Sequence, residues 1–143
     1  MDAGRVRAPA ARENGPRVAT FSELAEWHKI TREDAERILR EAVRLIRRQG
    51  WTQKHGAVLA DGSKCSPSNP DAARFSINGA IMRAQADLGL DWTHALAAGA
   101  VVRETVDMDP LAFNETRGRA QAEILDALYR ALWRALNHYG EAA

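Results

Sequence analysis

The strongest constraint in this chain is the run TREDAERILREAVRLIRRQG, residues 31–50. Ala35, Ile38, Leu39, Ala42, Val43, Leu45 and Ile46 recur at three- and four-residue spacing, which puts them on one face of a helix. Thr31 offers an N-cap oxygen with Asp34 three residues on, and Gly50 supplies the stop. A face that apolar has to be covered by other elements. The opposite face carries Arg37, Arg40, Arg44, Arg47 and Arg48, with Glu33, Glu36 and Glu41 interleaved. The i,i+4 pairs Glu33–Arg37, Glu36–Arg40 and Arg37–Glu41 predict a salt-bridged solvent face. Read as a basic stripe instead, the same arginines are candidate nucleic-acid contacts.

The remaining segments supply the cover. In TFSELAEWHKIT, Thr20 and Glu23 have capping-box spacing, which predicts a short helix over 21–28. Residues 1–19 are rich in Ala, Arg, Gly and Pro without a period and read as a flexible basic arm. Its Arg5, Arg7, Arg12 and Arg17 are either solvated or, in the alternative, touch phosphates. Asp61-Gly62 marks a small β-hairpin near residues 56–66. Such a ribbon needs a helix beneath it, with Trp51 and Val58 as the contacts. Asn69-Pro70 is expected to open the next helix, with Ala73, Ile77, Ala80, Ile81 and Ala84 as its stripe and Gly89 as its end. Asp91 caps WTHALAAGAVVRETV, and DMDPLAFNET reads as a loop.

The last helix spans 117–139 in this reading. Ala120, Ala127, Ala131 and Ala135 lie on one side, and Leu125, Leu128, Tyr129, Leu132 and Leu136 on the other. So wide an apolar arc implies burial on two sides, as a central helix or a subunit interface. The alanine side suits close approach by the helix that carries Gly79. The expected fold is therefore mainly α: one short N-terminal helix and four longer ones in a single domain over 20–143, with the hairpin inserted.

Composition excludes several classes. With 143 residues and 45% hydrophobic content, one globular domain is expected. No apolar run approaches about 18 residues, so no membrane span is expected. The start lacks the apolar stretch of a secretory signal, and a single cysteine, Cys65, excludes an internal disulfide, which together point to the cytoplasm. Residues 1–54 hold 12 Lys and Arg against 8 Asp and Glu, and the remainder 8 against 11. That basic bias is mild for a nucleic-acid binder.

No P-loop, GxGxxG, HExxH, paired CxxC or GxSxG occurs. His28, His55, His94 and His138 lack zinc-ligand spacing, although His55 and Cys65 meet across the hairpin in this reading. Asp107, Asp109, Asn114 and Glu115 form an oxygen-rich loop without EF-hand spacing, so helix termination and capping account for Asp107 and Asp109. Cys65 has Lys64 beside it but no placed base, and Ser76 has none either. No metal, cofactor or catalytic residue is assigned. Four tryptophans are many for this length. Core sealing is the plain reading of them, and a partner surface the functional one. On the latter, Trp27, Trp92, Tyr129, Trp133 and Leu136 are the interface candidates.

Three stretches in order carry a family resemblance. They are Gly50-Trp51-Thr52-Gln53, then Arg74-Phe75-Ser76-Ile77-Asn78-Gly79-Ala80, then Phe113-Asn114-Glu115-Thr116-Arg117-Gly118-Arg119. Over roughly residues 38–130 the chain resembles the bacterial and phage proteins grouped as DUF6197, a domain of unknown function. There the elements are expected as Gly-Trp-Cys-Gln, Arg-Trp-Cys-x-x-Gly-Ala and Trp-Asn-Asp-x-x-Gly-Arg. The two expected cysteines are Thr52 and Ser76 here, so cysteine chemistry in relatives would not carry over. The resemblance implies a fold and a compartment more than an activity.

Read physically, Asn114 caps the last helix and Glu115 pairs with Arg119 at i,i+4. The alternative is a polar ligand pocket of Asn114, Glu115 and Arg119 with Gln53 and Arg74. Asn78 costs helix propensity and needs a partner if it points inward, with Asn114 and Glu115 the first to check. Three functions follow in order. The first is a non-enzymatic binding or accessory protein whose partner is another protein or a second copy. The second is a nucleic-acid binder using the arm (Arg5, Arg7) and the Arg37–Arg48 face. The third is a small-molecule or enzymatic site around Asn114, Glu115 and Arg119.

Overall fold

A computed structural model describes residues 18–139. The long amphipathic run after Thr31 is helix α2, Arg32–Gln49, and every one of its seven periodic apolar residues is buried. Thr31 Oγ1 accepts from Asp34 N–H and Gly50 is the C-cap. Before it stands α1, Phe21–His28, with both halves of the Thr20–Glu23 capping box formed. After it come β1 (Ala57–Val58), β2 (Lys64–Cys65), β3 (Arg74–Phe75), α3 (Ile77–Asp87), α4 (Trp92–Val106), α5 (Pro110–Glu115) and α6 (Gln121–Asn137). The fold is mainly helical with a small antiparallel sheet, as expected.

Helix α2 is the central element: it packs on α6, α3 and α4. Sequence reading offered the last helix for that place. The correction follows from shape, because α6 packs on α2 and α4 and leaves its third side to solvent. Its small face is buried at Ala127, Ala131 and Ala135, whereas Tyr129, Trp133 and Leu136 are exposed. Trp27 and Trp92 are exposed too, so core sealing does not account for three of the four tryptophans.

The predicted hairpin forms, with Ala57 opposite Cys65 and Val58 opposite Lys64. Unexpected is the third strand: β3 pairs with β1, Ala57 opposite Phe75. Asn69-Pro70 does not open a helix. Asn69 Oδ1 accepts from the Asp71 N–H at 2.8 Å in a local turn, and Ala73 N–H donates to Val58 O at 2.7 Å. Asn-Pro thus turns the chain back along β1, and the helix waits for Ser76, whose Oγ accepts from Gly79 N–H at 2.9 Å.

Gly79 marks a close approach, but not to the last helix. A Cβ built there would lie 1.8 Å from Gly56 O, so the first turn of α3 is pressed on the backbone that leads into β1. The same Gly56 carbonyl accepts from Ser76 N–H at 3.0 Å. Only a residue without a side chain permits that contact.

Residues 107–116 are not simply a loop. Asp107 ends α4 in a left-handed conformation (φ 58°) and Asp109 caps α5 by accepting from Ala112 N–H. Capping therefore explains both aspartates. The last helix starts at Gln121 rather than 117, because Thr116–Ala120 form a separate turn after α5. On the arm, residues 1–17 lie outside the described residues, and Val18 and Ala19 belong to the folded body: Arg103 Nη2 donates to Ala19 O at 2.7 Å.

A polar clasp closes the bundle near its chain ends. Glu104 Oε2 accepts from Phe21 N–H at 2.7 Å, its other oxygen accepts from the Tyr139 hydroxyl, and the Tyr139 ring lies 4.5 Å from that of Phe21. Burial, then the hydrogen bond to Glu104, pushes the Tyr139 phenol from 10.0 up to about 12. A raised pKa favours the protonated form on folding, so its contribution is complete below pH 10 and lost as pH rises through about 12. Denaturation titrations across this window are expected to show an alkaline loss of stability that Tyr139→Phe removes. Gly79→Ala is expected to cost about 3 kcal/mol in urea unfolding, since its Cβ has no space to enter.

Candidate functional site

The three family-like stretches converge on one side chain. Asn114 sits in α5, 1% exposed, and is not the cap of the last helix. Its Oδ1 accepts from Trp51 Nε1 at 2.8 Å and from the Ile77 N–H at 2.9 Å. Its Nδ2 donates to Thr52 O at 3.2 Å and to Glu115 Oε2 at 2.9 Å. Four bonds exhaust the two donors and two acceptor directions of an amide. Glu115 in turn takes the Lys54 N–H on both carboxylate oxygens at 2.8 Å, holding Lys54 at a positive φ of 79°. Gln53 Nε2 donates to Asn114 O at 3.0 Å and Thr116 O at 3.2 Å.

Of the predicted polar pocket, then, Gln53, Asn114 and Glu115 meet. They meet as a closed network with no spare valence on Asn114. Arg119 is turned away: it donates to Phe113 O at 3.0 Å, its guanidinium lies 3.8 Å from the Phe113 ring centre, and its carboxylate neighbour is Glu123 at 3.8 Å. The expected Glu115–Arg119 ion pair does not form, because the turn at 116–120 breaks the helix that i,i+4 spacing assumed. Arg74 lies in β3 with its aliphatic stem beside Gly50. Asn78 is not joined to Asn114 or Glu115; among the described residues its amide has no hydrogen-bond partner, and it lines a different space.

The converging segments are those that carry the family resemblance. A family of unknown function, DUF6197, matches residues 30–134. The chain belongs to that family. No curated protein and no solved structure matches it. In this DUF6197 chain the family-like elements are thus accounted for by packing: one supplies Trp51 and Gln53, one the Ile77 amide and Gly79, one Asn114 itself. Thr52 and Ser76 stand in the shell of the network, the first through its carbonyl and the second as the cap of α3.

Among the described residues of this DUF6197 chain, two apolar surfaces stand out. One is the outward stripe of α6, where Tyr129, Trp133 and Leu136 share a face at i, i+4 and i+7. The other is an apolar groove of about 560 Å³ between α3 and α4. Ile81 and Met82 form one wall, Ala95, Leu96 and Gly99 the other, and Val18 and Pro110 stand at its ends. Asn78, Gln85, Arg103 and Asp109 add polar atoms. Of this lining the sequence singles out Asn78 and Trp92 as site candidates, Ile81 as part of an apolar stripe and Asp109 as a cap, but does not join them into one surface. The signal available was Gly99, a glycine in the middle of a capped helix.

The arginines of α2 are largely spoken for. Arg40 pairs with Glu36, Arg44 with Glu41, and Arg37 with Asp34 at 3.7 Å, while Arg47 donates to the Tyr129 hydroxyl at 2.9 Å. Of the three expected pairs only Glu36–Arg40 forms: Arg37 and Glu41 take i,i+3 partners, and Glu33 pairs with its neighbour Arg32 at 3.3 Å. Arg48 is exposed, and Arg5 and Arg7 lie outside the described residues. Among the described residues no three His, Cys, Asp or Glu side chains group to hold a metal, and no helix is long and apolar enough to cross a membrane.

Replacing Asn114 leaves the Trp51 indole and the Ile77 amide unpaired in a buried place. Asn114→Ala is expected to cost about 3 kcal/mol in chemical denaturation. Trp51 fluorescence should report the loss before the other tryptophans do.

Proposed function

We propose that the chain is a non-enzymatic binding protein, of the bacterial or phage kind that its family resemblance implies. It works through protein–protein contact, and its partner is a second copy of itself. The observation that carries this reading is the outward face of α6. Trp133 is 65% exposed there, with Tyr129 and Leu136 alongside. The helix is already anchored on α2 and α4 by its alanine side, so its own packing has no use for an indole on the far side. Tryptophan and tyrosine are the residues that supply most energy at protein interfaces.

Charge order favours a like partner. Asp126 and Arg130 flank the stripe one turn apart, whereas Arg134 is turned to Tyr139 and Glu104 and Glu123 caps the Ala120 N–H. An antiparallel two-fold pairing sets the acidic turn of one copy against the basic turn of the other, and a single patch serves both sides. Asp126 and Arg130 pair within the helix at 2.9 Å, half-exposed or more, so an exchange across an interface costs little. The other readings find less support. The α2 arginines offer a phosphate backbone charges that neighbouring carboxylates already offset, and the Asn114 network is closed to a ligand.

Sedimentation equilibrium tests the proposal. The full chain is expected to form dimers at micromolar concentration. Trp133→Glu should weaken them about thirtyfold or more, with the helical circular dichroism unchanged. A wild-type chain that stays monomeric throughout overturns self-association.

A further inference from the structure

The groove between α3 and α4 lies apart from the α6 stripe and calls for an occupant of another kind. We infer that it binds a small amphipathic ligand, with an apolar tail running over Gly99 and a carboxylate held by Arg103.

The first observation is Gly99. It stands inside α4, where glycine is among the poorest helix formers. Gly79 earns its place by touching backbone; Gly99 does not, since a Cβ built there meets no atom within 4 Å. Among the described residues no packing contact requires the missing side chain. What the glycine does is keep the α4 wall of the groove low, opposite Ile81 and Met82. The volume, about 560 Å³, falls within the range of roughly 300–1,000 Å³ typical of small-molecule pockets.

The second observation is Arg103. It follows Gly99 by four residues, so it lies one turn along the same helix face. Among the described residues it has no carboxylate partner, and its one hydrogen bond is to the carbonyl of Ala19. A guanidinium beside apolar walls retains several N–H donors and an uncompensated charge, which matches a carboxylate fork to fork. The groove's own acid, Asp109, is occupied in accepting the Ala112 N–H that caps α5. Asn78, with its amide unpaired, is a further donor beside the apolar wall. A cationic head meets Asp109 alone among the described residues of the lining, and that carboxylate is already drawn to the α5 cap.

Isothermal titration calorimetry with sodium decanoate, decan-1-ol and decyltrimethylammonium, each below its micellar concentration, tests this. Decanoate is expected to bind one to one and about tenfold more tightly than the alcohol, with the cation weakest. Arg103→Gln should abolish the preference for carboxylate and leave the alcohol's affinity in place, while Arg103→Lys retains part of the preference. Gly99→Leu raises the α4 wall and should block all three, in a chain whose melting temperature shows that it still folds. Trp133→Glu should bind decanoate as the wild type does, which keeps this inference separate from the α6 contact. Absence of one-to-one binding, equal affinity for the three heads, or undiminished binding by Gly99→Leu overturns it.

Discussion

One buried amide decides how the irregular half of this molecule is arranged. Asn114 lies 63 residues from Trp51 and 37 from Ile77, yet its side chain bonds to both. An unpaired amide in that position would be costly, so each of the three segments is held where the others need it. The sheet gains from this. Strands of two residues are too short to persist alone. They persist here because Trp51 bridges to Phe75 on one side, Gly56 meets Gly79 on the other, and Asn114 ties both regions to α5.

What the sequence made legible divides along physical lines. Caps, stops and the α2 stripe are local signals, written within a few residues of where they act. Thr20, Thr31 and Asp91 could therefore be placed directly, and so could the hairpin turn at Asp61-Gly62, whereas the short helix behind Asp109 reads as a loop. Signals that depend on a distant partner were misplaced. Asn69-Pro70 has the chemistry of a helix start and of a turn, and only the free edge of β1 decides between them. Asn114 reads as an N-cap by position, but the chain turns at 116–120 and carries it into the core. Gly79 was rightly taken as a close-approach point, though its partner is a carbonyl 23 residues earlier rather than the alanine face of α6. The apolar groove was out of reach for the same reason: its walls come from different helices, and its depth depends on an absent atom.

The two glycines of the helical walls make an instructive pair. Both interrupt an apolar, capped helix, and both carry the same conformational cost. At position 79 the cost is offset by a hydrogen-bonded junction with the sheet. At position 99 no contact among the described residues offsets it, and in the reading proposed above the space it leaves is taken by a bound tail.

The bond from Asn114 to the Ile77 N–H also alters how α3 moves. The first turn of a helix ordinarily opens first, since its amides lack partners within the helix. In α3 the leading amide is held by a side chain rooted in α5, Gly79 N–H is held by Ser76, and Ser76 is held by the sheet. The end that would fray is instead the anchored one. Slow breathing of α3 is therefore displaced toward its far end, at Asp87, where the backbone amides of Leu88, Gly89 and Leu90 close the helix within its own last turn.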